Sequence, residues 1–142
     1  MLIEELNLRT AKPSDRPHLL LWDTLNDLEL RQLAYRENAE CISYRTHLLN
    51  RIDPSKPFLT LHLWLERELD AIKAICAHTH NPVVLLKDLD CLITYLRVQP
   101  ESPITLFWQN LFYTRHLESI LWIVLPSKLM PPNWDDNRIQ RI

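Results

Sequence analysis

The chain has 142 residues, of which 46% are hydrophobic and 24% are charged, a size that suits one compact domain and leaves little room for a second. The formal net charge of -2 gives no support to nucleic acid as a partner, because nucleic-acid-binding domains are usually strongly basic. The chain contains no glycine, which excludes both glycine-rich phosphate-binding motifs, the P-loop and the dinucleotide-binding fingerprint.

The first predicted elements are a strand and a helix. Residues 18–22 form an apolar run behind Pro17 that is too short for a helix and has the length of a buried strand. Thr24 follows as a candidate N-cap with Asp27 three positions later, so a helix is predicted that continues to about Arg36.

The middle of the chain adds a second strand and the clearest helical pattern. Residues 41–44 read as a short strand, and a turn is predicted between Asp53 and Pro57. From Phe58 to about Ala77, apolar residues recur every three or four positions, which predicts an amphipathic helix. The recurring apolar residues are Leu61, Leu65, Leu69, Ile72 and Cys76.

The second half continues the alternation of strand and helix. Residues 83–86 and 120–125 are apolar runs typical of strands covered on both faces. Residues 104–117 carry the spacing of a helix, and the tail from about residue 126 to 142 is rich in proline. Four strands alternating with helices predict a single three-layer α/β domain with a mainly parallel sheet and helices on both faces.

This order of elements resembles the core of an AAA-type P-loop ATPase over most of the chain. In that family the first strand leads into the phosphate loop, whereas residues 21–28 occupy that place here without a glycine or a lysine. Asp23 and Asp27 lie in this segment and would repel a phosphate group. The resemblance therefore implies a degenerate, P-loop NTPase-like domain.

The family's other motifs are also altered in ways that disfavour nucleotide binding. Its apolar strand followed by Asp-Glu-x-Asp corresponds here to residues 83–86 followed by Lys87 and Asp88. The resemblance places Lys87 where the magnesium-associated aspartate is expected, and a cation cannot hold Mg²⁺. Ser127 stands near the family's polar sensor position, and Arg138 and Arg141 stand roughly where arginine fingers would come.

Two kinds of inactive relative resemble the chain more closely. One is the degenerate N-terminal domain of the FtsH-like AAA proteins of cyanobacteria and chloroplasts, which is similar in the step Lys87-Asp88-Leu89. The other is the small P-loop protein of BREX phage-defence systems, which is similar in length and in residues 85–92. Either resemblance implies a bacterial-type pseudo-ATPase that contacts a partner or supports an ATPase, with hydrolysis done elsewhere or not at all.

Enzymatic interpretations find little support in the residues. Asp88 and Asp90 follow a predicted strand, where a metal or phosphoryl group could bind, but acids at such positions also cap helices. The spacing Cys76-x-His78-x-His80 places His78 off the helical face that the other two share, which argues against zinc. We expect no catalytic residue, no resident metal and no cofactor.

The preferred hypothesis is a regulatory or interaction module that binds a protein partner. Trp134 lies in a polar, proline-rich tail, so it either docks on the body or contacts that partner. Two alternatives remain open: a nucleotide- or nucleic-acid-binding component of a bacterial defence or DNA-processing assembly, and a metal-dependent enzyme using Asp88 and Asp90. The residues predicted to contact a ligand or partner are Asp88, Asp90, Ser127, Trp134, Arg138 and Arg141.

The cysteines and the apolar runs indicate the compartment. Cys41, Cys76 and Cys91 are odd in number and form no C-x-x-C pair, so a disulfide framework is not expected. The first nine residues lack the pattern of a secretory signal, and the longest apolar run, residues 120–126, is too short to span a membrane. A cytoplasmic protein without a membrane segment is therefore predicted.

Overall fold

In a computed structural model that describes residues 6–52, 55, 65–101 and 103–142, the centre is a five-stranded sheet in which every neighbouring pair is parallel. The strand order is β2-β3-β4-β1-β5. The strands are β1 His18–Leu21, β2 Ala39–Ser43, β3 Val83–Lys87, β4 Ile120–Leu125 and β5 Ile139–Arg141. Strand β1 thus lies inside the sheet, between β4 and β5.

Helices connect the strands, as parallel neighbours require. They are α1 Asp27–Arg36, α2 Tyr44–Arg51, α3 Leu65–His78, α4 Asp90–Arg97 and α5 Pro103–Phe112. Single 3₁₀ turns cover Leu8–Thr10, Ser127–Leu129 and Asp136–Arg138.

Alternate strand residues enter two separate cores, one on each face of the sheet. Leu20 of β1 packs in the core that α1 and the N-terminal segment cover. Leu19 and Leu21 pack in the other core, which helices α2 to α5 cover. Because side chains of a strand alternate between faces, the unbroken apolar runs are the pattern of strands covered on both sides. The predicted three-layer α/β domain with a parallel sheet is confirmed.

All four predicted strands are confirmed with small shifts of their ends, and their registers are regular. In the β1–β4 pair, Leu19 lies opposite Ile123, and the backbone N–H of Trp22 continues the ladder with a 2.8 Å hydrogen bond to the carbonyl of Leu125. The second strand begins two residues earlier than predicted and ends at Ser43. Its expected last residue, Tyr44, instead opens α2, because the Ser43 hydroxyl accepts a hydrogen bond from the backbone N–H of Thr46 at 3.2 Å and caps that helix.

Helix boundaries differ from the expectations at three places. The first helix is capped by Asn26, whose side chain accepts hydrogen bonds from two backbone N–H groups, so the predicted cap at Thr24 is wrong. The helix predicted to continue to Leu117 ends at Phe112, and the Thr114 hydroxyl closes it by donating to the carbonyl of Asn110 at 2.9 Å. Residues 58–64 of the helix predicted from Phe58 lie outside the described residues, and the rest is helical as predicted.

The proline-rich tail contains a strand that the sequence did not predict. Residues 139–141 pair with β1, Leu19 lying opposite Ile139, and the sheet gains its fifth strand. A three-residue strand has too few positions to show a period of two. Only the position next to β1 makes this segment a strand.

A buried ionic cluster links α2 to α3. The hydroxyl of Tyr44 donates a hydrogen bond to Glu68, and the guanidinium of Arg51 approaches the same carboxylate at 2.7 and 3.2 Å. Burial disfavours the charged carboxylate, but these hydrogen bonds outweigh it and hold the pKa of Glu68 below its usual range. A single charge in the core is therefore compensated, as buried ions require.

Asparagine and aspartate take over positions that glycine often occupies. Asn38, Asp88 and Asn133 have positive φ angles of 53°, 64° and 63°. These two residue types tolerate the left-handed region better than other residues with a Cβ. The loops of a chain without glycine can thus still turn sharply.

The cap of α1 provides a test of the first helix boundary. Asn26→Ala removes the acceptor of the N–H groups of Leu28 and Glu29, at 2.8 and 3.3 Å, and should lower the free energy of unfolding by about 1 kcal/mol. Thr24→Ala is the matched control and should change it by less than about 0.5 kcal/mol. Urea denaturation measures both, and an equal loss in the two variants would contradict the assignment of the cap.

Candidate functional site

The carboxyl ends of three neighbouring strands form one edge of the sheet. Asp23 follows β1, Ser127 follows β4 and Asp90 begins α4 after β3. Helix α1 leaves β1 toward one face, whereas α4 leaves β3 toward the other. Ligands of open parallel sheets bind at such an edge, where neighbouring connections part to opposite faces.

A cavity of about 770 Å³ lies at this edge, and we call it the strand-edge pocket. The residues that line it include Asp23, Asp90, Thr94, Arg97, Ser127 and Lys128. The charged residues of this lining are two acids, Asp23 and Asp90, and two bases, Arg97 and Lys128, so their net charge is zero. A phosphate chain needs a surplus of positive charge or of free backbone N–H groups, and this lining offers no such surplus of charge.

The contact between Asp23 and Ser127 closes the junction of β1 and β4. The Ser127 backbone N–H donates to the Asp23 carboxylate at 2.7 Å, and its hydroxyl lies 2.8 Å from both carboxylate oxygens. The backbone hydrogen bond, followed by the hydroxyl and by smaller contributions from Arg141 and Lys128, lowers the pKa of Asp23. Asp23 is therefore charged at neutral pH. It accepts hydrogen bonds from the N–H and hydroxyl of Ser127, which are the donors that an incoming anion would need.

The two acids that follow β3 do not act together. Asp88 accepts a 2.6 Å hydrogen bond from the Ser43 hydroxyl and thereby ties the end of β3 to the start of α2. Asp90 is exposed and lines the strand-edge pocket, to which Asp88 does not contribute. Lys87 lies 3.8 Å from the carboxylate of Asp27, so this cation pairs with the segment after β1.

The described part of the chain forms no cluster of metal-ligating side chains. Within the described ranges, no group of three or more His, Cys, Asp or Glu residues is placed to hold a metal ion. Cys76 is buried, which raises the pKa of its thiol to about 12, and His78 contacts the carbonyl of Ala74 at 2.8 Å. A protonated thiol is a poor zinc ligand.

Arg138 is buried in the body of the protein, with a relative exposure of 1%. Its guanidinium donates two hydrogen bonds to the carbonyl of Pro17, at 3.0 and 2.8 Å, and one to that of Phe112 at 3.3 Å. It lies 4.8 Å from the ring centroid of Phe112 and 4.9 Å from that of Trp134. These contacts account for Arg138 structurally and leave its side chain no surface to offer a partner.

Trp134 docks on the body, which decides between the two outcomes that the sequence left open. Only 7% of it is exposed, and its ring meets Trp108 and Phe112 edge-on at centroid distances of 6.0 and 5.3 Å. Arg141, by contrast, is exposed at the sheet edge, and its Nη2 lies 3.7 Å from the sulfur of Met130. Of the two arginines in the tail, Arg141 is the accessible one.

A second cavity of about 400 Å³ lies between α5 and the segment 131–134, and we call it the aromatic groove. Trp108, Phe112, Tyr113 and Trp134 supply its rings, and Arg97 lies at its wall. Arg97 also lines the strand-edge pocket, so the two cavities adjoin. Sequence analysis missed Arg97, because a single arginine at a helix end carries no signal of its position between two cavities.

No protein-family model, curated protein or solved structure matches the chain. Over the residues that the structure describes, no helix has both the length and the apolar character to cross a membrane.

The buried and exposed arginines give a matched pair of tests. Arg138→Met leaves the carbonyl groups of Pro17 and Phe112 without their donor and should cost about 2 to 4 kcal/mol of stability. Arg141→Met should cost less than about 0.5 kcal/mol, because Arg141 is exposed. Urea unfolding followed by tryptophan fluorescence distinguishes them, and a similar small loss in both variants would refute the structural role of Arg138.

The Asp23–Ser127 contact can be tested through the pKa of Asp23. Ser127→Ala removes the hydroxyl donor, so the pKa of Asp23 should rise toward its usual range, whereas Ser127→Thr should leave it low. Because the folded-state pKa is depressed, the contact stabilises the fold at pH values above the ordinary carboxyl pKa and loses this effect as the pH falls through the depressed value. NMR titration of the Asp23 carboxyl carbon measures both variants, and an unchanged pKa in Ser127→Ala would be inconsistent with the contact.

Proposed function

We propose that the chain is a non-catalytic interaction or regulatory module with a degenerate, ATPase-like fold, and that it binds a protein partner. The observation that carries the proposal is the Asp23 carboxylate, which accepts the N–H and hydroxyl of Ser127 at the junction of β1 and β4. A carboxylate there repels an approaching phosphate group, because both carry negative charge.

The charges at the neighbouring positions support the same interpretation. In the family that the sequence resembles, a lysine is expected in the loop after the first strand and an aspartate at the end of the third. Here the acid Asp27 follows β1 and the base Lys87 ends β3, and the two approach to 3.8 Å. The two charges are thus exchanged relative to the family. Because Asp27 and Lys87 pair with each other, they do not supply the lysine and the aspartate that bind a magnesium nucleotide.

The strand order is compatible with the resemblance. It puts β3, β4 and β1 side by side, so the three segments compared with the ATPase motifs lie along one edge. This adjacency supports an ancestry in which the scaffold is kept and the nucleotide chemistry is lost. The bacterial defence setting rests on the sequence resemblance alone and stays a prediction.

A protein partner is favoured by the surface of α5. This helix has no charged residue in its sequence, residues 103–112, although Leu106 is 52% exposed and the adjacent Tyr113 is 60% exposed. Exposed apolar residues beside an aromatic cavity are typical of protein interfaces, whose centres are poor in charge and rich in aromatic rings. A solvated helix without such a role usually carries charges on its outer face.

Nucleotide binding is the direct test of this function. Titration of the whole chain with a fluorescent ATP analogue, with and without Mg²⁺, should show no saturable binding up to about 1 mM. Saturable, Mg²⁺-dependent binding would overturn the proposal and favour the nucleotide-binding alternative.

Asp23→Asn serves as the companion variant, since it removes the charge and nearly preserves the shape. Binding by this variant alone would show that the carboxylate is the main obstacle. Absence of binding in both proteins would agree with the loss of the lysine and of the glycine-rich loop as well. Circular dichroism verifies that the variant is folded.

A further inference from the structure

The aromatic groove is held rigid by the tail that forms one of its walls. Trp134 meets Trp108 and Phe112 edge-on, at interplanar angles of 81° and 83°. The buried guanidinium of Arg138 lies against the rings of both Phe112 and Trp134. Because this assembly is fixed before any ligand enters, little ordering cost opposes binding.

Two buried polar atoms in this assembly make no hydrogen bond with the described residues, the Nε1 of Trp134 and the Nη1 of Arg138, and the latter lies 3.8 Å from the carboxylate of Asp135. The indole Nε1–H of Trp134 is buried and makes no hydrogen bond among the described residues. An unsatisfied buried donor costs about 1 to 3 kcal/mol. Because the Nε1 of Trp134 is itself inaccessible, a ligand in the groove packs against the indole ring rather than its N–H, and the indole resonance reports that contact.

The charge at the groove specifies the ligand further. Arg97 is the charged residue in the lining. Arg97 is exposed and forms no ion pair with the described residues. A ligand with a carboxylate beside its apolar part would therefore complement the groove.

The surface around the groove is larger than a small molecule needs. Exposed Tyr113 lines the groove just after the end of α5, and Pro131 and Pro132 continue the opposite wall. An elongated ligand can contact both of these walls, whereas a compact ligand would occupy only the cavity between them.

We propose that the aromatic groove binds an extended, proline-containing segment of the partner protein that carries an acidic residue. This inference rests on the proposed function, because it assigns the surface through which the module meets its partner. Polyproline II segments dock in grooves lined by aromatic rings, and their backbone carbonyls are free to accept hydrogen bonds. The proline rings pack on Trp108 and Phe112, and the carboxylate meets Arg97.

The test uses a labelled synthetic peptide of about five prolines flanked by aspartates. Binding to the whole chain is followed by fluorescence anisotropy, and the indole N–H resonance of Trp134 is followed by NMR. We expect saturable binding, a shift of that resonance, and about tenfold weaker binding when lysines replace the flanking aspartates. Replacing the prolines by glycines should abolish binding.

Variants at exposed positions keep the fold intact and locate the binding. Arg97→Glu should weaken the acidic peptide about tenfold and strengthen the lysine-flanked one. Tyr113→Ala should weaken both peptides. Tyr35→Ala is the matched control, because Tyr35 is a 91% exposed tyrosine on α1, outside the groove, and should bind both peptides as the unmodified chain does.

Several outcomes would overturn the inference. These are no shift of the Trp134 resonance at about 1 mM peptide, equal binding of the glycine peptide, and binding that Arg97→Glu leaves unchanged. Self-association that buries the groove, seen by sedimentation, would replace the peptide with a second copy of the chain. Nucleotide binding would refute the proposed function while the peptide result stays readable, so the two failures can be told apart.

Discussion

The fold depends on burying β1 between β4 and β5 and between two helical layers. All four of its residues, His18–Leu21, are buried, and they supply both hydrophobic cores through their alternation. A strand covered in this way must satisfy its backbone through its neighbours, because no water reaches it. Its parallel registers with β4 and β5 do so, and they also fix where the following residues emerge. The strand-edge pocket is a consequence of this arrangement.

That edge is where an α/β protein would bind a ligand, yet here its groups pair with one another. Asp23 takes the donors of Ser127, Asp88 takes the hydroxyl of Ser43, and Lys87 approaches Asp27. These contacts engage groups that a ligand at this edge would otherwise meet. One accessible apolar surface lies instead beside α5, at the aromatic groove. The proposed interaction site therefore lies on α5 and the tail that packs beside it, not at the strand ends.

One buried residue of the tail, Arg138, contacts several parts of the fold. Arg138 joins the carbonyl of Pro17, just before β1, to that of Phe112 at the end of α5, and its guanidinium lies against Trp134. The core, the last strand and the groove wall are therefore mechanically linked. From the sequence, Arg138 and Arg141 look alike, since both are arginines in a polar segment. Their difference lies in the neighbours that packing provides.

The sequence by itself determined the local features: the first four strands, with boundary shifts of one or two residues, and the alternation that predicts a layered parallel sheet. Hydrophobic periodicity is a property of neighbouring residues. It also excluded glycine-rich phosphate loops by composition. Tertiary structure alone decided the fifth strand, the burial of Arg138 and Trp134, the placement of Arg97 and the closure of Asp23 by Ser127. The last contact joins residues 104 positions apart, and that of Arg138 with Pro17 spans 121. Pairs so distant leave no local pattern, since only the packed sheet brings them together.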